Sequence, residues 1–163
     1  MARHSIYMNN IGHSCGRVLF QAIFALALLS SPNSWARLGE TFDEIRARYG
    51  FVVRIDNGDY PQYFFQKDGI EICVRFVNGK SAQEIFSAAV SNVQTVLPEV
   101  LNANAQGSTW ASTTVGQSTA YMRADGKAIA QYIRPKKSEG RLAMLQIQTT
   151  ESKRVFNPNG LEF

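Results

Sequence analysis

The most regular pattern in this chain is the strict alternation of apolar and polar residues over residues 70–76. Side chains alternate across an extended strand, so this pattern predicts a strand with one buried face and one wet face. Residues 142–150 repeat the pattern and predict the last strand of the domain. The apolar sides of the two segments are Ile70, Ile72, Val74 and Phe76, and Ala143, Leu145, Ile147 and Thr149.

Short β-rich stretches, each followed by turn residues, predict an antiparallel meander. Asn-Gly and Asp-Gly pairs favour tight hairpin turns because both residue types tolerate a positive φ. The predicted strands cover residues 51–56, 60–66, 70–76, 81–87, 110–114, 119–124, 127–133 and 142–150. The turns between them include Asn57-Gly58, Lys67-Asp68-Gly69, Asn78-Gly79 and Asp125-Gly126.

Two short helices are predicted from capping residues and from apolar residues at helical spacing. Thr41 and Glu44 form a capping-box pattern at the start of the first helix, and Gly50 supplies its stop. In the second helix, Pro98 favours a regular start near residue 97, with 91–96 as a lead-in. Its apolar stripe consists of Val93, Val96, Leu97, Val100 and Leu101.

These elements predict an α+β domain, in which two short helices pack on one face of an antiparallel meander. Helix and strands alternate twice, which suggests two divergent α-βββ repeats. The turns Asn78-Gly79-Lys80 and Asp125-Gly126-Lys127 are the most similar points of the two halves. Residues 151–163 contain Asn157-Pro158-Asn159-Gly160 and are predicted to be an irregular tail.

The first 36 residues are typical of a cleaved secretory signal. An acid-free start with Arg3 and Arg17 precedes twelve mainly apolar residues at 18–29, and Ser34 and Ala36 place small residues where a signal peptidase reads. Twelve residues span only about 18 Å as a helix, too short to cross a membrane. We therefore expect an exported chain, periplasmic or secreted, that is cleaved after Ala36 and is not inserted in a membrane.

Removal of this leader would leave one domain at 37–163 with little potential for common catalytic chemistry. Both histidines, His4 and His13, lie in the leader, so the domain has no imidazole base and no His-ligated zinc site. Cys73 would be the remaining cysteine and is interpreted as a strand residue. We expect no cofactor and no metal; Asp56-Asn57-Gly58-Asp59 is interpreted as a hairpin turn rather than a calcium loop.

The charge balance predicts no nucleic-acid partner. Two of the 17 basic residues lie in the leader, which leaves 15 against 13 acids, a net charge of +2. Basic residues do concentrate at 123–141, where a solvated hairpin tip is favoured over a contact with an anionic lipid, glycan or nucleic acid. They are Arg123, Lys127, Arg134, Lys136, Lys137 and Arg141.

The residues Leu38-Gly39-Glu40-Thr41-Phe42-Asp43-Glu44-Ile45 and Tyr49-Gly50, followed by Val74-Arg75-Phe76-Val77-Asn78-Gly79-Lys80, resemble a known pattern. The pattern is shared by the BamE-like outer-membrane assembly lipoproteins and the β-lactamase inhibitor protein. The resemblance implies a helix on an antiparallel sheet that meets a protein partner. The chain differs from both families, since it lacks the lipid-bearing cysteine of the first and the paired cysteines of the second.

We therefore predict a non-enzymatic binding module that meets a protein partner in the cell envelope through one face of the sheet. Tyr and Trp beside Arg are typical of interface hot spots. The candidate binding residues are Tyr63, Phe65, Trp110, Tyr121, Arg123, Tyr132 and Arg134, and core packing is the competing interpretation for each of them. The oligomeric state stays open.

The alternative function is a small hydrolase or ligand-binding enzyme that uses a pair of carboxylates. Two acidic pairs flank turns, Asp56 with Asp59 and Asp68 with Glu71. Glycoside hydrolysis needs two carboxyl groups about 5–10 Å apart, one of them kept protonated by an apolar setting. Turn acids are usually solvated and ionised, so this function requires a cleft that holds one buried acid.

Overall fold

The computed structural model describes residues 35–136 and 142–156; the predicted leader up to residue 34, the loop at 137–141 and residues 157–163 lie outside the described residues. The first helix, α1 (Phe42–Tyr49), confirms the capping prediction. Thr41 Oγ1 accepts a hydrogen bond from the Glu44 N–H, and the Glu44 carboxylate accepts one from the Thr41 N–H. Gly50 ends the helix with a φ of 91°, which side-chain-bearing residues rarely adopt.

Eight strands in the described residues form one open antiparallel sheet, which confirms the α+β class. Their order across the sheet is β1-β2-β3-β4-β8-β7-β6-β5. The strands are β1 (Arg54–Asp56), β2 (Gln62–Lys67), β3 (Ile70–Val77), β4 (Lys80–Ala88), β5 (Trp110–Val115), β6 (Ser118–Arg123), β7 (Ala128–Ile133) and β8 (Ala143–Thr149). The other two helices are α2 (Val90–Ala103) and α3 (Thr150–Phe156).

The strand order divides the sheet into two similar halves. One half contains α1 and β1 to β4, the other contains α2 and β5 to β8, and the last strands of the halves, β4 and β8, pair at the centre. Each half has four strands, which agrees with the eight predicted strand segments and is one more than an α-βββ repeat contains. The prediction matched Asn78-Gly79-Lys80 in the first half with Asp125-Gly126-Lys127 in the second. In the structure Asp125-Gly126 joins β6 to β7, so its counterpart in the first half is Asp68-Gly69, which joins β2 to β3.

Helix α2 begins seven residues earlier than predicted and continues through Pro98. A proline inside a helix removes one hydrogen bond and costs about 3 kcal/mol. Val93, Val96 and Val100 are buried against the sheet, and their burial offsets this cost. The exposed Pro98 lies on the opposite side of the helix, where its ring meets solvent.

Helices α1 and α2 cover one face of the sheet, which we call the helix face. Its core contains Phe65, Ile72, Phe86, Leu145 and Ile147, all fully buried. The alternation predicted for β3 and β8 is confirmed, since Ile70, Ile72 and Val74 and Ala143, Leu145 and Ile147 belong to this core. Two short helices on one face of an antiparallel sheet therefore match the predicted arrangement.

The opposite face, which we call the outer face, carries the third helix. One row of paired residues defines this face across six strands: Arg75, Gln83, Gln148, Ile129, Met122 and Ala111. The prediction of an irregular tail at 151–163 is wrong for residues 151–156, which belong to α3. Thr149 Oγ1 accepts from the Ser152 N–H, and Ser152 Oγ donates to the Ala82 carbonyl.

Helix α3 crosses only the half of the outer face that β3, β4 and β8 form. It begins directly after β8, and the ring of Phe156 at its end contacts Tyr60 (5.2 Å between centroids) and the guanidinium of Arg75 (5.4 Å). Arg75 lies on β3, so the helix leads away from β5, β6 and β7. The outer face of those three strands stays uncovered by the described helices.

Residues 35 and 36, which the predicted cleavage would remove, belong to the folded domain. Both Trp35 and Ala36 are buried in the core. The Trp35 ring meets the edge of Phe86 at 6.3 Å, and Lys67 Nζ lies 5.0 Å from its centroid. Asn104 Nδ2 donates a hydrogen bond of 3.0 Å to the Ala36 carbonyl.

In the part of the chain that the structure describes, no helix is both long enough and apolar enough to cross a membrane.

Candidate binding groove on the outer face

A groove of about 440 Å³ lies on the uncovered part of the outer face, between β5 to β8 and one side of α3. Its floor consists of the small residues Ala111, Thr113 and Ala120, so nothing fills the space above β5 and β6. Met122 and Ile129 give it apolar walls. The other residues that line it are Tyr121, Ala130, Gln131, Gln146, Gln148 and Lys153, and Tyr121 among them is one of the predicted binding residues.

The groove exists because small side chains alternate along β5 and β6 where α3 does not reach. Ala111 and Thr113 face Met122 and Ala120 across the pair of strands, on the outer side. Met122 is 58% exposed although it lies on an inner strand of the sheet, which is a large exposed fraction for an apolar side chain in that position. An apolar wall open to solvent is typical of a binding surface.

Glutamine side chains give this groove its polar groups. Gln148 Oε1 accepts hydrogen bonds from Gln83 Nε2 (2.6 Å) and Gln146 Nε2 (3.1 Å), and Gln131 Nε2 donates to Ser118 Oγ (2.9 Å). Among the described residues, Gln148 Nε2, Gln131 Oε1 and Gln146 Oε1 have no hydrogen-bond partner. The groove therefore offers both amide donors and amide acceptors, on glutamines that Gln83, one another and the Ser118 hydroxyl hold in place.

Lys153 supplies the only charged group among the lining residues. It projects from α3, and no carboxylate of the described residues forms an ion pair with it. No acidic residue of the described part of the chain lines the groove. A bound molecule would therefore meet apolar walls, amides and one positive charge, a combination that favours a neutral or acidic molecule.

Six of the seven predicted binding residues lie on the helix face rather than on the outer face. Phe65, Arg123 and Tyr132 are buried, which corrects the expectation that these three side chains are available to a partner. On their strands they point to the same face as the core residues, so their side chains pack in the core. The half-buried members are Tyr63, Trp110 and Tyr121, and Arg134 is exposed just after β7.

The partly buried aromatics among these residues have packing partners of their own. The Tyr63 ring lies 5.2 Å from Phe42 and 5.5 Å from Phe76, in edge-on contacts. Trp110 Nε1 donates a hydrogen bond of 2.8 Å to the Leu101 carbonyl at the end of α2. A role in binding stays a prediction for these residues and for Arg134.

Arg123 connects the end of α2 to the turn between β6 and β7. Its Nη1 donates to the Asn104 carbonyl at 2.7 Å, and Nε and Nη2 donate to the two carboxylate oxygens of Asp125 at 2.8 and 3.0 Å. The same hydrogen bonds hold the pKa of Asp125 below its usual value. This bidentate ion pair explains the presence of Arg123 by a structural role, with no need for a binding role.

A raised pKa belongs to Glu84, a residue that the sequence analysis did not select. Its carboxyl group is fully buried on the helix face, where Oε2 accepts from Tyr49 Oη at 2.7 Å. Tyr49 Oη in turn accepts from the Ala36 N–H at 2.7 Å. Burial, with a smaller contribution from the charge of Glu40, raises the pKa of Glu84 to about 7, although the Tyr49 hydrogen bond and Arg48 act to lower it.

A signal for Glu84 was present in the sequence. It lies at the middle of the alternating set Ala82, Glu84 and Phe86, so the periodicity of β4 places an acid among core positions. The acidic pairs selected instead do not form a site. Asp59, Asp68 and Glu71 are exposed, and Asp56 forms an ion pair with Arg54.

A catalytic cleft with a buried acid is therefore not formed by the described residues. The groove has no acid, and Glu84 is enclosed in the core on the other face of the sheet. No cluster of three or more metal-ligating His, Cys, Asp or Glu side chains occurs in residues 35–136 and 142–156. The described residues do not bring either acidic pair into a cleft of the kind that the alternative function requires.

We expect Cys73 to react with iodoacetamide at least about 100-fold more slowly than a free thiol at pH 8, because burial raises its pKa to about 11 and lowers its thiolate fraction. The thiol lies on the outer face of the inner strand β3 and donates to Gln62 Oε1 at 3.4 Å. Intact mass spectrometry after timed alkylation measures the rate, with the urea-unfolded chain as the control. A disulfide-linked dimer in non-reducing conditions would contradict this prediction.

Comparisons with known proteins identify no family for this chain. No protein-family model matches the chain, and no curated protein matches it in sequence. A cysteine-rich secretory protein from Staphylococcus aureus subsp. aureus Mu50 has 14% sequence identity and a TM-score of 0.43, over 78% of this chain and 49% of that structure. An extracellular protein containing an SCP domain from Bacillus anthracis str. Ames has 9% identity and a TM-score of 0.39, over 94% of this chain and 51% of that structure. The chain thus spans about half the length of each of these structures.

Proposed function

We propose that this chain is an exported, non-enzymatic binding module whose partner site is the groove on the outer face. The observation that carries the proposal is the groove itself, where apolar walls, unpaired amides and Lys153 surround about 440 Å³ of open space. A few polar groups that converge on an apolar concavity are typical of a binding site. The absence of acids and of histidine from its lining supports recognition rather than catalysis.

Export belongs to the same proposal, and its support is the sequence of the leader. Basic, acid-free residues and a twelve-residue apolar stretch stand before residue 30, and small residues follow at positions 34 and 36. A cell-envelope protein is the partner class that this localisation favours, in the periplasm or outside the cell. The resemblance to the BamE-like lipoproteins and to the β-lactamase inhibitor protein stays a prediction that agrees with a protein partner.

We expect Ala120→Trp to reduce partner recovery by at least about tenfold, because the indole fills the groove above β6. The matched control is Ala124→Trp, the same change at an exposed residue just beyond β6 and outside the groove. Both variants and the wild type are expressed with an affinity tag in the source cell, crosslinked, purified from envelope and medium, and compared by quantitative mass spectrometry.

The comparison between variants decides the result. A protein recovered with the wild type and with Ala124→Trp, and lost with Ala120→Trp, supports the groove as the site. Equal recovery with all three chains would contradict the proposal, because binding would then be independent of the groove. Far-ultraviolet circular dichroism establishes that each variant is folded before it is compared.

A further inference from the structure

We infer that the occupant of the groove is an extended peptide segment of the partner, which adds to the sheet as a ninth strand beside β5. The inference rests on the proposed function and specifies its partner chemistry. An added strand gains main-chain hydrogen bonds at the edge, and its alternate side chains enter pockets on one face of the sheet. Strand β5 supplies both parts, since it is an edge of the sheet and forms the floor of the groove.

The edge at β5 lacks the features that usually prevent strand addition. Proteins protect free edges with charges, prolines, bulges or very short strands. The six residues of β5, Trp-Ala-Ser-Thr-Thr-Val, contain no charge and no proline, and their register with β6 has no bulge. Residues 111–115 are all exposed, so no part of the chain that the structure describes covers this edge.

The other edge of the sheet provides a contrast within the same molecule. Strand β1 has only three residues, and two of them, Arg54 and Asp56, are charged and form an ion pair. A short charged strand is a poor template for another strand. One edge of this sheet is therefore protected and the other is not, although both edges are available to solvent.

The register identifies which backbone groups of β5 are free. The Ala124 N–H donates to the Thr109 carbonyl at 2.9 Å, and the N–H and C=O of one residue in an antiparallel strand point to the same side. Odd-numbered residues of β5 therefore bond to β6, and Trp110, Ser112 and Thr114 direct their N–H and C=O groups away from the sheet. An incoming strand meets three donor–acceptor pairs at alternate residues.

The same register directs the side chains of an added strand into the groove. Residues opposite Ala111 and Thr113 share the outer face with them and form the non-hydrogen-bonded positions, where facing side chains are closest. Because Ala111, Thr113 and Ala120 are small, a long apolar side chain can extend over them towards Met122. Segments with alternating large apolar residues therefore fit best.

Charge favours a partner segment over a second copy of this chain. Lys153 is the one charged residue of the groove, so the segment that fits carries a carboxylate on the groove side. Strand β5 of a second copy offers only alanine, serine, threonine, valine and tryptophan, none of which neutralises Lys153. An acidic, alternating peptide is thus the chemistry that this edge and groove recognise.

The test uses a display library of random 12-residue peptides selected on the full chain, and each selected peptide is then measured on the wild type and on Ala120→Trp. We expect selected peptides to alternate apolar residues with at least one acid, and to bind Lys153→Glu about tenfold more weakly than the wild type. With the peptide bound, amide exchange should slow about tenfold or more at Ser112 and Thr114 and stay unchanged at Ile55 in β1.

A second pair of variants tests the backbone directly. Thr114→Pro removes an outward N–H and leaves the bonds to β6 in place, whereas Thr114→Val keeps the N–H and serves as the matched control. Strand addition predicts that only the proline variant loses peptide binding. Circular dichroism and the exchange rates of β7 amides establish that both variants are folded.

Failure of this inference can be separated from failure of the proposed function. Chemical-shift changes at Met122 and Ile129 without slowed exchange in β5 would mean that peptides bind on the face alone, which overturns strand addition and keeps the groove. Slowed exchange in β5 without peptide, together with a dimer in sedimentation, would identify a second copy as the occupant and overturn the inference. Peptides that bind wild type and Ala120→Trp equally would overturn the groove itself.

Discussion

Replacing Trp35 by alanine should lower the free energy of unfolding by about 3–5 kcal/mol, the usual cost of removing a large aromatic side chain from a core. The Trp35 ring is only 7% exposed and packs on Phe86 inside the core between sheet and helices. Urea unfolding measures the change, with Arg37→Ala at the exposed neighbouring position as the control. Equal stability of both variants would contradict the packing described for residue 35.

The same residues bear on how the chain is processed. A chain that starts at Arg37 lacks the Trp35 ring and also the Ala36 N–H and C=O groups, which bond to Tyr49 Oη and Asn104 Nδ2. We therefore expect it to be at least as unstable as Trp35→Ala, and a chain that starts at Trp35 to be much more stable. Intact mass spectrometry of the exported protein should give an N-terminus at or before Trp35, rather than after the Ala36 cleavage that the leader pattern predicts.

The second large effect is a pH dependence that Glu84 controls. Burial raises its pKa from an ordinary value near 4.5 to about 7, so the folded state favours the protonated carboxyl. The stability that Glu84 contributes is fully present below pH 4.5 and is lost as the pH rises through about 7. A pKa shift of this size changes the free energy of unfolding by about 3 kcal/mol between those two pH limits.

Glu84→Gln removes this titration and keeps the side chain nearly the same size. We expect the stability of the variant relative to wild type to increase by about 3 kcal/mol between pH 5 and pH 8.5. The charged groups that face Glu84 are Glu40, Arg48 and Tyr49, and none is changed by this substitution. Stability is measured by urea unfolding at each pH.

Glu44→Gln is the control for this experiment, because the pKa of Glu44 is lowered by its hydrogen bonds to Thr41 and its linkage has the opposite sign. Its stability relative to wild type should not increase with pH. Parallel stability curves for wild type and Glu84→Gln would mean that Glu84 is not held protonated in the core, and would contradict the prediction.

The parts of the fold that could be predicted depend on neighbours in the sequence. The capping box of α1 needs only Thr41 and Glu44, three residues apart, and the alternation of β3 and β8 needs only a period of two. The α+β class follows from these local signals together with the turns. The single apolar stripe of each predicted helix also indicates that each helix packs on the sheet along one side.

The missed elements are those in which a distant contact outweighs a local preference. Pro98 predicted a break, but burial of Val93, Val96 and Val100 against the sheet keeps α2 continuous. Residues 151–156 lack a strong helical pattern, and α3 is held by Ser152 on the Ala82 carbonyl, seventy positions away in the chain. In both cases the contact that stabilises the helix is made with a strand of the sheet.

The candidate site depended even more on tertiary structure. Tyr and Trp beside Arg are equally suited to a surface and to a core, and only the pairing of β5, β6 and β7 reveals that Tyr132 and Arg123 face the helices. The groove itself consists of small residues and glutamines, which carry no signal of their own. It exists because α3 stops short of β5.

By itself, then, the amino-acid sequence determined the helix caps, the strand periods, the absence of histidine from residues 37–163 and the class of the fold. Only the tertiary structure decided which face is covered, which edge is free and that Trp35 and Glu84 lie in the core. The physical reason is that caps and periods are interactions over three or four residues, whereas faces, edges and burial arise from contacts between residues far apart in the chain.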